Sequence, residues 1–176
     1  MTPKYRWPDP PSDTAFPIAR PGWPIIFGAA FVTFVLALSG FGIAALVAMA
    51  ATLFICCFFR DPDRVTPDEE RAVICPADGK VVFTGVVESN PFLPGRRLKI
   101  GIFMSVFNVH VNRVPLSGKI EHIAYFPGKF MPADRPAAST KNEHNAVTLE
   151  TASGEKICFV QVAGLIARRI ICSVQA

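Results

Sequence analysis

The sequence predicts a mainly β fold: an antiparallel β-sandwich or barrel-like domain preceded by an N-terminal hydrophobic helical hairpin. Three observations lead there. Residues 21–59 contain no Asp, Glu, Lys, Arg or His. Short β-branched runs punctuated by Pro and Gly fill the chain after Arg60. No strong amphipathic helical pattern separates those runs, which argues for antiparallel strands. A chain of 176 residues has room for one ordinary domain and an appendage. With 51% hydrophobic and 18% charged residues and a mean hydropathy of +0.35, disordered, collagenous and coiled-coil classes are excluded. The same figures argue against a purely soluble protein.

Taken in order, residues 1–20 form a Pro-rich N-terminus expected on the cytoplasmic side, and 21–59 a membrane-associated helical hairpin. As one helix, those 39 residues would reach about 58 Å, against a hydrocarbon thickness of about 30 Å. Ser39-Gly40-Phe41-Gly42 supplies the break, dividing Ile25–Leu38 from Ile43–Phe59. The first arm is short for a span, so a dip into one leaflet and two crossings are both open. A secretory signal fits poorly, because the start is Pro-rich and the apolar run too long. Lys4, Arg6 and Arg20 precede the run and Arg60, Arg64 and Arg71 follow it. Basic flanks on both sides favour a hairpin with both ends in the cytoplasm. The expected location is thus the cell membrane, with the β domain on its cytoplasmic face.

Residues 60–176 read as the β-rich domain. Strands are expected at Lys80–Glu88, Arg97–Met104, Val106–Val114, Lys119–Phe126, Asn145–Thr151, Lys156–Val162 and Arg169–Val174. The turn signals Pro115-Leu116-Ser117-Gly118 and Ala152-Ser153-Gly154-Glu155 suggest hairpins. Gly128–Glu143, with Pro132 and Pro136, reads as a long loop. The five Cys include no CxxC pair, so neither a zinc site nor a disulfide framework is expected, and no metal is implied. A net charge of +4 suits an anionic membrane surface but lacks the dense basic cluster of a nucleic-acid binder.

Two places carry potential chemistry. In Asn108-Val109-His110-Val111-Asn112, period-two alternation would put Asn108, His110 and Asn112 on one face. A solvent-facing strand gives the same pattern. Pro76-Ala77-Asp78-Gly79 places an Asp in a turn, where Asp-Gly is also ordinary turn chemistry. Neither place alone identifies an enzyme. His122 reads as a surface strand position.

In combination the motifs are specific. Phe58-Phe59-Arg60-Asp61-Pro62-Asp63-Arg64 follows the apolar run. Then come Pro76-Ala77-Asp78-Gly79, Val109-His110-Val111-Asn112-Arg113-Val114-Pro115 and Tyr125-Phe126-Pro127-Gly128. Asn142-Glu143-His144-Asn145 and Val162-Ala163-Gly164-Leu165-Ile166-Ala167-Arg168-Arg169 complete the series. From about residue 58 to its end the chain closely resembles the phosphatidylserine decarboxylase family, in its short archaeal-type or bacterial class.

The resemblance implies a pyruvoyl enzyme of phospholipid biosynthesis that converts phosphatidylserine to phosphatidylethanolamine and carbon dioxide. It implies a proenzyme in which a Ser following a Gly attacks the preceding carbonyl, splits the chain and becomes the pyruvoyl group. That ketone forms a Schiff base with the substrate amine and acts as an electron sink. Asp78 matches the Asp of the family's Asp-His-Ser arrangement, and His110 the His in the strand motif, for self-processing, proton transfer or both. Longer members can carry a second His three residues on, where this chain has Arg113. His144, Arg168 and Arg169 are substrate-contact candidates, the arginines because a guanidinium can hold phosphate bidentately.

The 176 residues contain no Gly-Ser dipeptide. The expectation is therefore a proenzyme cut short before its cofactor-forming Ser, inactive alone, with the pyruvoyl-bearing C-terminal chain as its partner. Homodimers would be ordinary. The alternative is a catalytically inactive membrane-bound β-domain that at most binds anionic phospholipid.

Overall fold

The computed structural model describes residues 17–175 except 65, 68, 70 and 71. Most of the Pro-rich N-terminus, with Lys4 and Arg6, and the flanking Arg71 therefore lie outside the described residues. The chain divides into two compact units. One comprises the chain up to Asp78 together with Phe107–Arg113, and the other Gly79–Val106 with Val114–Ala176.

In the first unit a 3-10 turn, Arg20–Gly22, runs into helix α1 (Trp23–Leu38), and a tight turn leads to α2 (Gly42–Phe58). Pro24 sits in the first turn of α1, where its fixed φ suits a helix and its missing N–H costs nothing. The break expected at Ser39–Gly42 has a defined chemistry. Gly40 takes φ +78°, while its N–H bonds to Ala37 O at 3.2 Å and the Phe41 N–H to Leu36 O at 3.1 Å. This is a Schellman cap, which needs a residue at ease in the left-handed region. At the open end Ala19 N–H donates to Phe59 O at 2.8 Å, and Ile18 bridges Arg60 antiparallel. The arms also meet at Thr33 Oγ1 and Thr52 Oγ1, 3.1 Å apart.

Neither helix has an apolar stripe of the kind that faces a protein core. Phe27 is 65% exposed, Leu38 72% and Ile43 84%. Side chains of this kind, projecting all round a helix, belong in an apolar medium. Arg20–Leu38, 19 residues with mean hydropathy 1.8, is long and apolar enough to cross a membrane; Gly42–Phe58 is shorter.

The second unit holds two antiparallel sheets. Strand β1 (Lys80–Val87) pairs with β2 (Arg97–Phe103). Strands β3 (Lys119–Phe126), β4 (His144–Glu150) and β5 (Lys156–Val162) form the order β3-β4-β5. The fold class is the expected one, mainly β after a helical hairpin. The β4–β5 hairpin turns at Ala152–Glu155, with Gly154 at φ +83°. Central strand β4 is the core of this unit: Ala146 is 3% exposed, Val147 1% and Leu149 0%.

Two expected strands are absent. Val106–Val114 forms no ladder; its alternating valines mimic a strand, but side chains from Arg60–Arg64 and its own Arg113 set its conformation. Pro115–Gly118 consequently leads into β3 without closing a hairpin. Arg169–Val174 is likewise irregular, its apolar character coming from exposed residues such as Ile171 at 47%. The long loop 128–143 contains one helical turn, α3 (Ala138–Lys141).

Candidate functional site

The first unit assembles around the five residues that follow the hairpin. Arg60 reaches back and forward: Nη1 donates to Cys57 O at 2.8 Å and Nη2 to Phe107 O at 2.7 Å. Asp61 Oδ1 accepts from Arg113 Nη2 at 2.8 Å, and the same Nη2 donates to Pro62 O at 3.1 Å. Arg64 pairs with Asp78. The Arg113 backbone N–H donates to Pro76 O at 2.8 Å, tying the segment that bears His110 to the one that bears Asp78. The sequence pointed to Asp78 and His110, offered Arg60 and Arg64 only as a basic flank and Arg113 only as the replacement of a second His, and gave none of these or Asp61 a part in the site. The available signal was a dense charge motif directly after 39 uncharged residues.

Within this frame His110 is held in a definite chemical state. Its ring stacks on Phe58, the last residue of α2, with centroids 4.2 Å apart and planes 26° apart. Nδ1 lies 3.0 Å from Asn108 O. A carbonyl only accepts, so Nδ1 carries the proton, and Nε2 of the neutral ring presents a lone pair. Burial pushes the imidazole below its ordinary 6.5; the Asn108 carbonyl works against this and the Arg60 guanidinium adds to it. At neutral pH His110 is a neutral base with its acceptor nitrogen fixed.

Asp78 is partnered by Arg64 and His110 by a backbone carbonyl, so the two do not form the direct carboxylate–imidazole bond that the resemblance implies. The place of the second His of longer relatives is taken by Arg113, which is committed to Asp61 and Pro62.

In the second unit His144 repeats the design of His110. Its Nδ1 lies 2.8 Å from Asn142 O, and its ring stacks on Phe126 at 4.7 Å, with Phe92 edge-on at 5.9 Å. Asn142, 1% exposed, fixes this corner. Its side chain accepts from Met131 N–H at 2.9 Å and donates to Met131 O and Ala163 O, each at 2.8 Å. Arg168 and Arg169 are exposed. Arg168 lies over the Phe130 ring at 5.7 Å and donates from Nε to Leu165 O at 2.9 Å. His122 is exposed on β3, as expected.

Comparison with known proteins places these residues in a family context. Residues 51–176 match the sequence model of phosphatidylserine decarboxylase, a span that includes every candidate above. The phosphatidylserine decarboxylase proenzyme of Desulfotalea psychrophila is 51% identical over 156 residues, covering 89% of this chain and 73% of that protein. The corresponding proenzyme of Geotalea uraniireducens is 49% identical over the same length and coverage. That of Ralstonia pickettii is 48% identical over 160 residues, covering 90% of this chain and 74% of the relative.

Proposed function

The chain belongs to the phosphatidylserine decarboxylase family, and we propose that it supplies the membrane anchor, the processing base and the headgroup-binding surface of an enzyme that decarboxylates phosphatidylserine to phosphatidylethanolamine. The observation that carries this reading is His110: a neutral imidazole with Nε2 free of its proton and Nδ1 held by Asn108, inside the span that matches the family.

Forming a pyruvoyl group asks a protein for a base that can take a hydroxyl proton, and His110 Nε2 fits that requirement. Asp78, held by Arg64, lies on the segment whose Pro76 O accepts from the Arg113 N–H, and is assigned to self-processing by the family's Asp-His-Ser arrangement. The sequence holds no Gly-Ser dipeptide, so the proposal assigns the serine to residues beyond Ala176, in a C-terminal chain that remains the partner of this one. When bound, a pyruvoyl group supplies an electron sink for the pair left behind by the departing carboxylate. His144 and the guanidiniums of Arg168 and Arg169 are assigned to the substrate headgroup and its phosphate.

The apolar helices keep the protein at the cell membrane, where its substrate is, with the β unit on the cytoplasmic side and a homodimer as the assembly. The test uses the protein expressed from its own gene and purified in detergent. Intact mass after a carbonyl-reactive reagent is to show a labelled small chain beside a larger one, and phosphatidylserine in mixed micelles is to become phosphatidylethanolamine. A single unlabelled species that leaves phosphatidylserine unchanged would refute the proposal.

A further inference from the structure

The apolar surface of the first unit does not stop at its two helices. Phe107, in the turn that precedes His110, is 71% exposed. A single exposed phenylalanine needs no explanation, but this ring meets another, that of Phe54, edge-on with centroids 6.1 Å apart. Phe54 is one of the exposed apolar side chains of α2. It lies four residues before the helix ends at Phe58, about 6 Å down the axis, and helical side chains lean toward the N-terminus, here away from that end. Phe107 therefore packs against the apolar length of α2.

The groups around it mark where that apolar length gives way to water. Arg60 Nη2 donates to Phe107 O at 2.7 Å and Nη1 to Cys57 O at 2.8 Å, so the backbone of residue 107 is tied to the polar end of α2 while its ring turns back along the helix. The His110 ring stacks on Phe58 at that same end. Ala19 N–H donates to Phe59 O, which sets the start of α1 level with the end of α2, and there Trp23 stands exposed with its ring stacked on Phe27. Tryptophan and arginine at the ends of apolar helices favour the boundary between membrane and water.

We infer that the loop bearing His110 is itself a membrane-contact element, with Phe107 inserted among the acyl chains beside α2 and the His110 imidazole held at headgroup depth. The occupant of this surface is lipid, because the Phe54–Phe107 contact makes the surface continuous with the apolar flank of α2. This rests on the membrane attachment proposed above and deepens it: a phospholipid headgroup meets the site without its lipid leaving the bilayer.

The test measures depth. Full-length protein from its own gene, with Trp7 and Trp23 replaced by Phe, is reconstituted into phosphatidylcholine vesicles whose acyl chains are brominated either near the headgroup or near the bilayer centre. Phe107→Trp is added to this parent, and its fluorescence is read as the increment over the parent. The position is exposed enough to take the larger ring without repacking. Val47→Trp, at an exposed position toward the middle of α2, is the reference. The Phe107→Trp increment is expected to be quenched more by the shallow bromines, and the Val47→Trp increment more by the deep ones. Iodide in the water is expected to quench neither. Bromine quenching of Val47→Trp with Phe107→Trp untouched would overturn the inference and leave membrane attachment standing. The ring would then face water if iodide quenches it, and protein if iodide does not. Both increments untouched by bromine would count against membrane attachment itself, and the inference would fall with it.

Discussion

His110 and His144 are prepared in nearly the same way by different means. Each sits two residues after an asparagine whose backbone carbonyl accepts from Nδ1, and each ring lies flat on a phenylalanine. His144 inherits its position from a ladder, at the first residue of a strand paired on both sides, with a buried asparagine behind it. His110 has no ladder. Its segment is pinned by Arg60 on Phe107 O, by Arg113 on Asp61 and by the Arg113 N–H on Pro76 O. A sheet fixes a side chain through many cooperative backbone bonds. A charged clamp does so through a few half-exposed pairs, each worth about 1 kcal/mol or less, and so leaves the segment adjustable. That suits the self-processing role proposed for His110.

The largest effect that would separate the two is on chain cleavage. His110→Ala is expected to slow conversion of the proenzyme, followed on gels, by about 100-fold or more, in keeping with loss of a general base. His144→Ala is expected to leave it within about threefold of wild type. Similar losses in both would erase the distinction.

Stability should divide the other way. Asn142→Ala deletes three side-chain hydrogen bonds, one buried and two part-buried, and is expected to cost about 2–4 kcal/mol, read from denaturant midpoints. Asp61→Ala, at a partly exposed pair, is expected to cost about 1 kcal/mol or less yet slow cleavage about tenfold by loosening the Arg113 anchor.

Proton linkage gives the smallest effect. Folding lowers the His110 value from 6.5, so the unfolded chain binds the proton more readily. The stabilising contribution is complete above pH 6.5 and is lost as pH falls through the lowered folded value. Denaturant midpoints for wild type are expected to drop across that window more than those of His110→Gln; parallel slopes would contradict it.

What was legible in the sequence follows from how local the cause is. Lys119–Phe126 and Lys156–Val162 were readable to the residue, because strand alternation and turn chemistry are short-range signals. The hairpin break was readable from the two glycines of Ser39-Gly40-Phe41-Gly42, the first of which takes φ +78°. Val106–Val114 was misread because Val109, 3% exposed, is buried as a strand residue would be, although side chains and not a ladder hold it. Asp78 and His110 stood out within recognisable motifs. The ion pairs around them did not: Arg64 lies 14 positions from Asp78, and the Arg113–Asp61 pair that anchors the His110 segment spans 52, and no periodicity encodes such pairings.

At the centre stands His110 as a base acting through Nε2. Chemical rescue tests this: the His110→Ala proenzyme, expressed from the full gene and purified uncut, is incubated with imidazole across a pH series. Cleavage is expected to resume in proportion to the neutral imidazole present. Cleavage at the wild-type rate without imidazole, or a folded variant that imidazole leaves uncut, would contradict it.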